Sequence, residues 1–443
     1  MFGWFAPRLS IPTAEKVLAE RRMTRLAGLL GLDRLRTAPV VLPTPEFFPD
    51  PFHGDEPSAA ALLRRLCGYM KVDPDAVRLE VRPDDQMTGA AGLYEPGRRR
   101  RTIAVTASRL GSPVYLVPVL AHELGHEILL GGGLLTHDDP EHEWLTDLVP
   151  TWLGLGVLSA NGTVYSAAWS EGQMAWWQIG RQGYLTSREI GYALALFAFA
   201  RGEDRPGWGR FLRPDAAEPL RAGLRYLLKT GDTLFHPDTA AAPDRPLDPA
   251  EIRERLRHGS PGFRLDALWR LTDGGPADPG LLPAVRGCLG SQDHDIVAAA
   301  VAALAAFGPA AAEAVPELIQ ALWYGEAGVR PAAAAALGRL GADPDTAVPA
   351  LGNVRADRDS AVVRAAVEAL SRFGPAAAPC VPQLTATIAA AVVAGQFERV
   401  NETLLALRAV TPDVREAIRD HLPDPEHQRQ ARMALKELGS GSP

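Results

Sequence analysis

The sequence predicts two domains of different class. An α+β domain spans residues 1–250, with its core at 60–200, and an all-α solenoid follows over 262–440. Three observations carry this reading. A 33-residue period runs through the C-terminal third and not before it. Short, alternating, β-rich segments stand among helical patterns in the N-terminal part. Between the two lies "HPDTAAAPDRPLDP" at 236–249, a Pro- and Ala-rich polar stretch that reads as a linker.

The period holds in four registers. Pro283, Pro316, Pro349 and Pro382 are 33 residues apart, as are Leu271, Leu304, Leu337 and Leu370. Gly275, Gly308, Gly341 and Gly374 keep the interval, and so do Phe263, Ile296, Val329 and Val362. Each unit reads as a helix pair. The prolines sit near a helix start, where the missing N–H costs nothing. The companion helices, such as "DIVAAAVAALAAFGP", are Ala-rich, which lets neighbours approach closely. A glycine after the last Leu or Phe suits a left-handed helix end. The T-P-L-H signature of ankyrin units is absent, and the pattern resembles short HEAT repeats over residues 262–440. After Pro382 the copies loosen, as expected of capping units. The resemblance implies a surface for substrate or a protein partner.

In the N-terminal part, "VRLEVRPDD" and "RTIAVTAS" alternate and read as strands. "PSAAALLRRLCGYMKV" and "GYLTSREIGYALALFAFARGE" read as helices. "IGYALALFAFA" at 190–200, read as the most apolar stretch, is too short to span a bilayer, so no membrane association is expected. The N-terminus lacks the basic start and apolar run of a signal peptide. Cys67, Cys288 and Cys380 are few and far apart, which implies reduced thiols and a cytoplasmic protein. The net charge of -7 gives no reason to expect nucleic acid. The basic run Arg98–Arg101 reads as a solvated turn entering a strand. "PTPEFFPDPFHGDEP" at 43–57 reads as an ordered surface loop, and "MAWWQIGRQGY" at 174–184 suits a cleft or core.

The chemistry concentrates in "LAHELGHEILLGGG", residues 120–133. His122 and His126 are four apart, so on a helix they lie about 40° from each other and share a face. Glu123 follows the first. Ser112 and Pro113 mark a helix start, Pro118 predicts a kink or a late start, and Gly131–Gly133 the end. The flanks are apolar, so the polar trio is expected in a buried helix, where a metal would satisfy it. Two imidazoles leave room for a further ligand on Zn²⁺. A second helix starts near Asp139–Pro140 and carries Glu143 and Asp147, four apart. Glu143 is the preferred third ligand, because Asp147 stands one turn behind it to orient a histidine. Glu141 and His142 remain competitors.

The set His122, Glu123, His126, Glu143 and Asp147 resembles the gluzincin metallopeptidases. That resemblance implies a zincin-like N-terminal domain binding one Zn²⁺ per chain through His122, His126 and Glu143. It implies that Glu123 activates water and that Asp147 orients a histidine. It also implies that "TIAVTAS" is an edge strand lining the cleft. The expected reaction is peptide-bond hydrolysis, with Glu123 as the general base. A second donor to the oxyanion is expected from Tyr184, Tyr192 or Arg188, with core packing the competing role for both tyrosines. The expected substrate is a peptide or protein. The alternative is a catalytically silent scaffold in which the repeats act alone.

Overall fold

The computed structural model describes residues 9–87, 91–95, 97, 100–162, 164–171, 174–181, 184–237, 246–275, 278–354 and 357–440, with backbone only for 164–181 and 439–440. Arg98, Arg99, most of the 236–249 stretch and the side chains of 174–181 lie outside it. The chain divides into two compact units, Met1–Arg245 and Pro246–Pro443.

The first unit runs α1 (Thr13–Leu30), α2 (Leu32–Thr37), α3 (Glu56–Met70), β1 (Val77–Arg82), β2 (Gly92–Glu95), β3 (Arg101–Thr106), α4 (Pro113–His126), α5 (His142–Trp152), α6 (Gly156–Gly162), β4 (Val164–Glu171), β5 (Met174–Arg181), α7 (Ser187–Ala200) and α8 (Pro214–Thr230). The sheet order is β1-β3-β2. β1 is parallel to β3 and β2 antiparallel, with Gly92 opposite Val105 and Glu95 opposite Thr102. This corrects one expectation: "TIAVTAS" supplies the central strand, and its Ile103, Ala104 and Val105 are all buried. The edge strands are β1 and the short β2, "GLYE", and it is β2 that packs on α4.

α4 begins at Pro113, with Ser112 extended at the cap position but making no side-chain cap bond. Pro118 is accommodated inside the helix, and the last turn widens into a π turn over Glu127–Gly131. Such turns often accompany functional sites. Leu116, Leu120 and Leu124 bury one flank of α4, and Leu145, Leu148 and Trp152 of α5 join the same core. Gly125 makes the close crossing with α5 possible. A Cβ there would stand 3.0 Å from both the carbonyl oxygen and Cγ2 of Thr146.

The second unit begins before residue 262, with α9 (Pro249–Arg257). It continues as α10 (Pro261–Thr272), α11 (Leu282–Cys288), α12 (His294–Phe307), α13 (Val315–Tyr324), α14 (Val329–Leu340), α15 (Pro344–Asn353), α16 (Ser360–Phe373), α17 (Val381–Val393), α18 (Phe397–Val410), α19 (Val414–His421) and α20 (Pro425–Ser440). Even-numbered helices α10 to α18 stack in one layer, and α13, α15, α17 and α19 in another. The period has its physical basis here: Leu271, Leu304, Leu337 and Leu370 are all buried between helices. Gly308, Gly341 and Gly374 end their helices at positive φ of 57°, 59° and 58°; Gly341 is in the left-handed helical region, and Gly308 and Gly374, at ψ of -138° and -136°, take a conformation that only glycine adopts readily. In the first unit of the series the neighbouring Gly274 takes that role instead of Gly275. Pro283, Pro316 and Pro382 open their helices, whereas Pro349 lies inside α15, which starts a turn earlier.

Among the described residues, His294–Tyr324 and Ser360–Val393, and not residues 190–200, are the stretches apolar and long enough to cross a membrane by composition. Gly308 and Gly374 break each of them into two repeat helices that pack on their neighbours. All three cysteines are free and buried.

Candidate metal centre

α4 and α5 together bring His122, His126 and Glu143 to one point, with a ligand atom of each within 4.8 Å of the others. Glu143 Oε2 stands 3.5 Å from Nε2 of His122 and 3.5 Å from Nε2 of His126. Ligands at about 2.0–2.1 Å from a tetrahedral zinc are roughly 3.3–3.5 Å apart, so these two separations fit the ion. Glu143 Oε2 is also buried without a hydrogen-bond partner. A carboxylate oxygen in that position carries a desolvation penalty that a cation between it and the imidazoles would remove.

The tautomers follow from the partners. His122 Nδ1 lies 2.7 Å from Asp147 Oδ1, and a carboxylate only accepts, so the proton is on Nδ1 and Nε2 offers its lone pair. Asp147 is itself pinned, because Oδ2 accepts from the backbone N–H of Tyr184 at 2.6 Å and of Leu185 at 2.9 Å. Thr146 donates its hydroxyl hydrogen to the His142 carbonyl at 2.7 Å, leaving its oxygen to accept from His126 Nδ1 at 3.4 Å. In their neutral forms both imidazoles would therefore present bare Nε2 atoms to the Glu143 oxygen.

Without an ion the electrostatics favour a charged His122, and metal binding requires its Nε2 proton to leave. Burial opposes charge on His122, but Asp147 and Glu143 outweigh it and raise its pKa well above the ordinary value. Burial likewise works against a charged Glu143, yet His122 and His126 hold its pKa far below the usual carboxylate range. Burial lowers that of His126. Glu123 is only 5 % exposed, and burial pushes its carboxyl up to about 7. Its Oε1 faces β2, where a Cβ on Gly92 would come within 2.5 Å of it.

Of the two competing ligands, Glu141 is engaged by arginines, while His142 stands beside Glu143. Glu141 binds Arg22 at 3.2 Å and Arg25 at 3.5 Å, and these arginines of α1 hold the loop before α5. His142 Nδ1 donates to the Asp139 carbonyl at 2.8 Å, while its Nε2 stands 3.3 Å from the other Glu143 oxygen, Oε1.

The three oxyanion candidates separate. Tyr192 is a correction: it is fully buried, and its hydroxyl is committed to Glu20 Oε1 at 2.7 Å in a network with Lys16. Its large ring fills the core, and its hydroxyl needs Glu20 as a partner there. Arg188 binds Glu15 at 2.8 Å. Tyr184 is 48 % exposed beside the site, with its ring against Trp144, and burial together with Glu143 and Asp147 raises its phenol pKa.

Sequence reasoning misses Tyr94. Its ring stacks on His126 with centroids 5.9 Å apart, and its hydroxyl donates to Glu127 Oε2 at 2.7 Å. Arg101 reaches the same Glu127 oxygen at 3.5 Å. β2 carries only four residues, too few to show alternation. Arg100, by contrast, is a solvated cation paired with Asp75, as the basic turn implied.

Comparison with known proteins bears on the second unit. Residues 249–338 match the family described as HEAT repeats. No curated protein matches the chain. Two crystal structures of engineered proteins are similar. One is 21% identical, with 44% of this chain and 98% of that chain covered at a TM-score of 0.32. The other is 20% identical, with 44% and 100% covered at 0.31. What is shown is thus a chain that carries HEAT repeats, a scaffold suited to protein–protein interaction, behind a mixed α/β unit.

Proposed function

We propose that this protein is a zinc-dependent peptidase whose HEAT repeats engage a substrate or partner protein, and that its first unit is zincin-like. One observation carries the hydrolase reading: the buried, unpartnered Glu143 Oε2 placed 3.5 Å from two imidazole nitrogens whose tautomers leave them free to coordinate. His122, His126 and Glu143 would hold the ion. Zinc bound there supplies Lewis acidity, polarising a carbonyl and acidifying water.

The chain's own residues do the rest. Asp147 keeps the His122 proton on Nδ1 and fixes the ring. Glu123, with a carboxyl raised to about 7 and aimed along β2, takes a proton at one oxygen and returns it to the leaving amine. Tyr184 offers a hydroxyl at the solvent side of the site for the developing oxyanion. Tyr94 and Gly92 form the wall on the β2 side, the first by stacking on His126 and the second by making room for Glu123.

A second reading is a catalytically silent interaction scaffold, and the HEAT-repeat match favours it independently of the site. Glu123→Gln separates the two. The variant should retain zinc and lose hydrolysis of a casein or peptide-library substrate. A wild-type protein that binds zinc and cleaves nothing leaves the scaffold reading standing.

A further inference from the structure

We propose that the groove between residues 204–210 and α8 is a docking site for an acidic amphipathic helix of a partner protein. The groove measures about 790 Å³, and its walls carry Arg205, Arg210, Arg221 and Arg225, over a floor that includes Leu224 and Leu228. Among the described residues Arg205, Arg221 and Arg225 have no acidic partner, and Arg210 is engaged only by stacking over Phe211 at 5.0 Å. Asp204 is the one acidic side chain in the lining, and Lys229 adds a further cation. This concentration stands on a chain whose net charge is -7.

The arrangement on α8 is costly for the helix alone. Arg221, Arg225 and Lys229 follow one another at i, i+4 and i+8, so like charges face each other one turn apart, which destabilises a helix. Leu228 lies among them, 50 % exposed. From Arg221 to Lys229 the row rises eight residue steps, about 12 Å or two helical turns. A partner helix with carboxylates four apart and a leucine between them would neutralise the row and cover Leu228 in one contact.

The observations favour a peptide over other polyanions. The groove lining contains no aromatic side chain on which a base would stack. Leu228 is the one exposed large apolar side chain in the lining, with Leu224 buried beneath, whereas a bilayer is met by a broad apolar face.

The test uses the full-length protein and a fluorescein-labelled helical peptide with Glu at i and i+4 and Leu at i+3. Fluorescence anisotropy should show binding that weakens at ~0.5 M salt. Replacing the peptide's Glu by Gln should weaken it at least about tenfold, and so should Arg221→Glu with Arg225→Glu in the protein. These positions are exposed, so circular dichroism should be unchanged. A peptide with Lys in place of Glu should bind the doubly substituted protein and not the wild type. The proposal is overturned if the substituted protein binds the acidic peptide as well as wild type does. It is equally overturned if anionic phosphatidylserine vesicles bind the groove while the peptide does not.

Discussion

Asp147→Asn should leave the protein folded and strip the centre of most of its zinc affinity. The carboxylate of Asp147 is 9 % exposed and accepts three bonds: from His122 Nδ1 at 2.7 Å, and from the backbone N–H of Tyr184 and Leu185 at 2.6 and 2.9 Å. An amide has one acceptor oxygen and one donor nitrogen in the same space. If its oxygen faced His122, its NH₂ would oppose two backbone donors, at about 1–3 kcal/mol for each donor left unpaired. The opposite orientation satisfies both backbone donors and turns the NH₂ towards His122. His122 then accepts at Nδ1 and carries its proton on Nε2, the atom 3.5 Å from Glu143 Oε2. A protonated Nε2 cannot coordinate. Loss of such an orienting partner lowers metal affinity about 10–100-fold, or ~1.4–2.7 kcal/mol. Competition with a chromophoric chelator measures the affinity, and long-range ¹⁵N imidazole spectra report the tautomer. An Asp147→Asn variant that binds zinc like wild type, with the His122 proton still on Nδ1, refutes the reasoning.

Two further outcomes follow from the same geometry. Burial raises the Glu123 carboxyl from 4.5 to about 7 in the metal-free fold, so the folded state holds that proton more tightly than the unfolded chain. Stability from this group is therefore complete below pH 4.5 and is lost as pH rises through 7, by up to about 3 kcal/mol. Metal-free Glu123→Gln should match wild type in denaturant melts near pH 4.5 and exceed it near ~pH 8; equal stabilities at both pH values would contradict the buried placement. Gly92→Ala would put a Cβ within 2.5 Å of Glu123 Oε1 and of Val119 Cγ1. Both contacts are too short to stand, so β2 must ease off buried Val119 and the Glu123 carboxylate must shift, and hydrolysis should fall about 100-fold with zinc content unchanged. A wild-type rate would show that the carboxylate has no fixed station.

Much of this is legible in the residues because it is local. The i, i+4 pairs on α4 and α5, the Pro and Gly punctuation and the 33-residue leucine register each follow from helix geometry alone. Tyr192 escapes a reading by spacing because its partner, Glu20, lies 172 residues away. The edge strand is misplaced by sequence pattern because "TIAV" has the stronger β signal, and the fold uses that signal for the strand paired on both sides. Tyr94 and Gly92 sit on β2, whose importance comes from antiparallel pairing to β3 and packing on α4, neither of which four residues can announce. Thr146 reads as an ordinary helix residue until its two hydrogen bonds show how it fixes His126.

Everything proposed for the first unit depends on zinc being held by His122, His126 and Glu143. Elemental analysis of the purified full-length protein beside His126→Ala and Glu143→Ala tests it most directly. The expected result is about one zinc per chain in the wild type, retained through dialysis against a weak chelator and lost in both variants. A wild-type protein that carries no zinc and takes up none when it is supplied would contradict the account and leave the HEAT repeats as the guide to function.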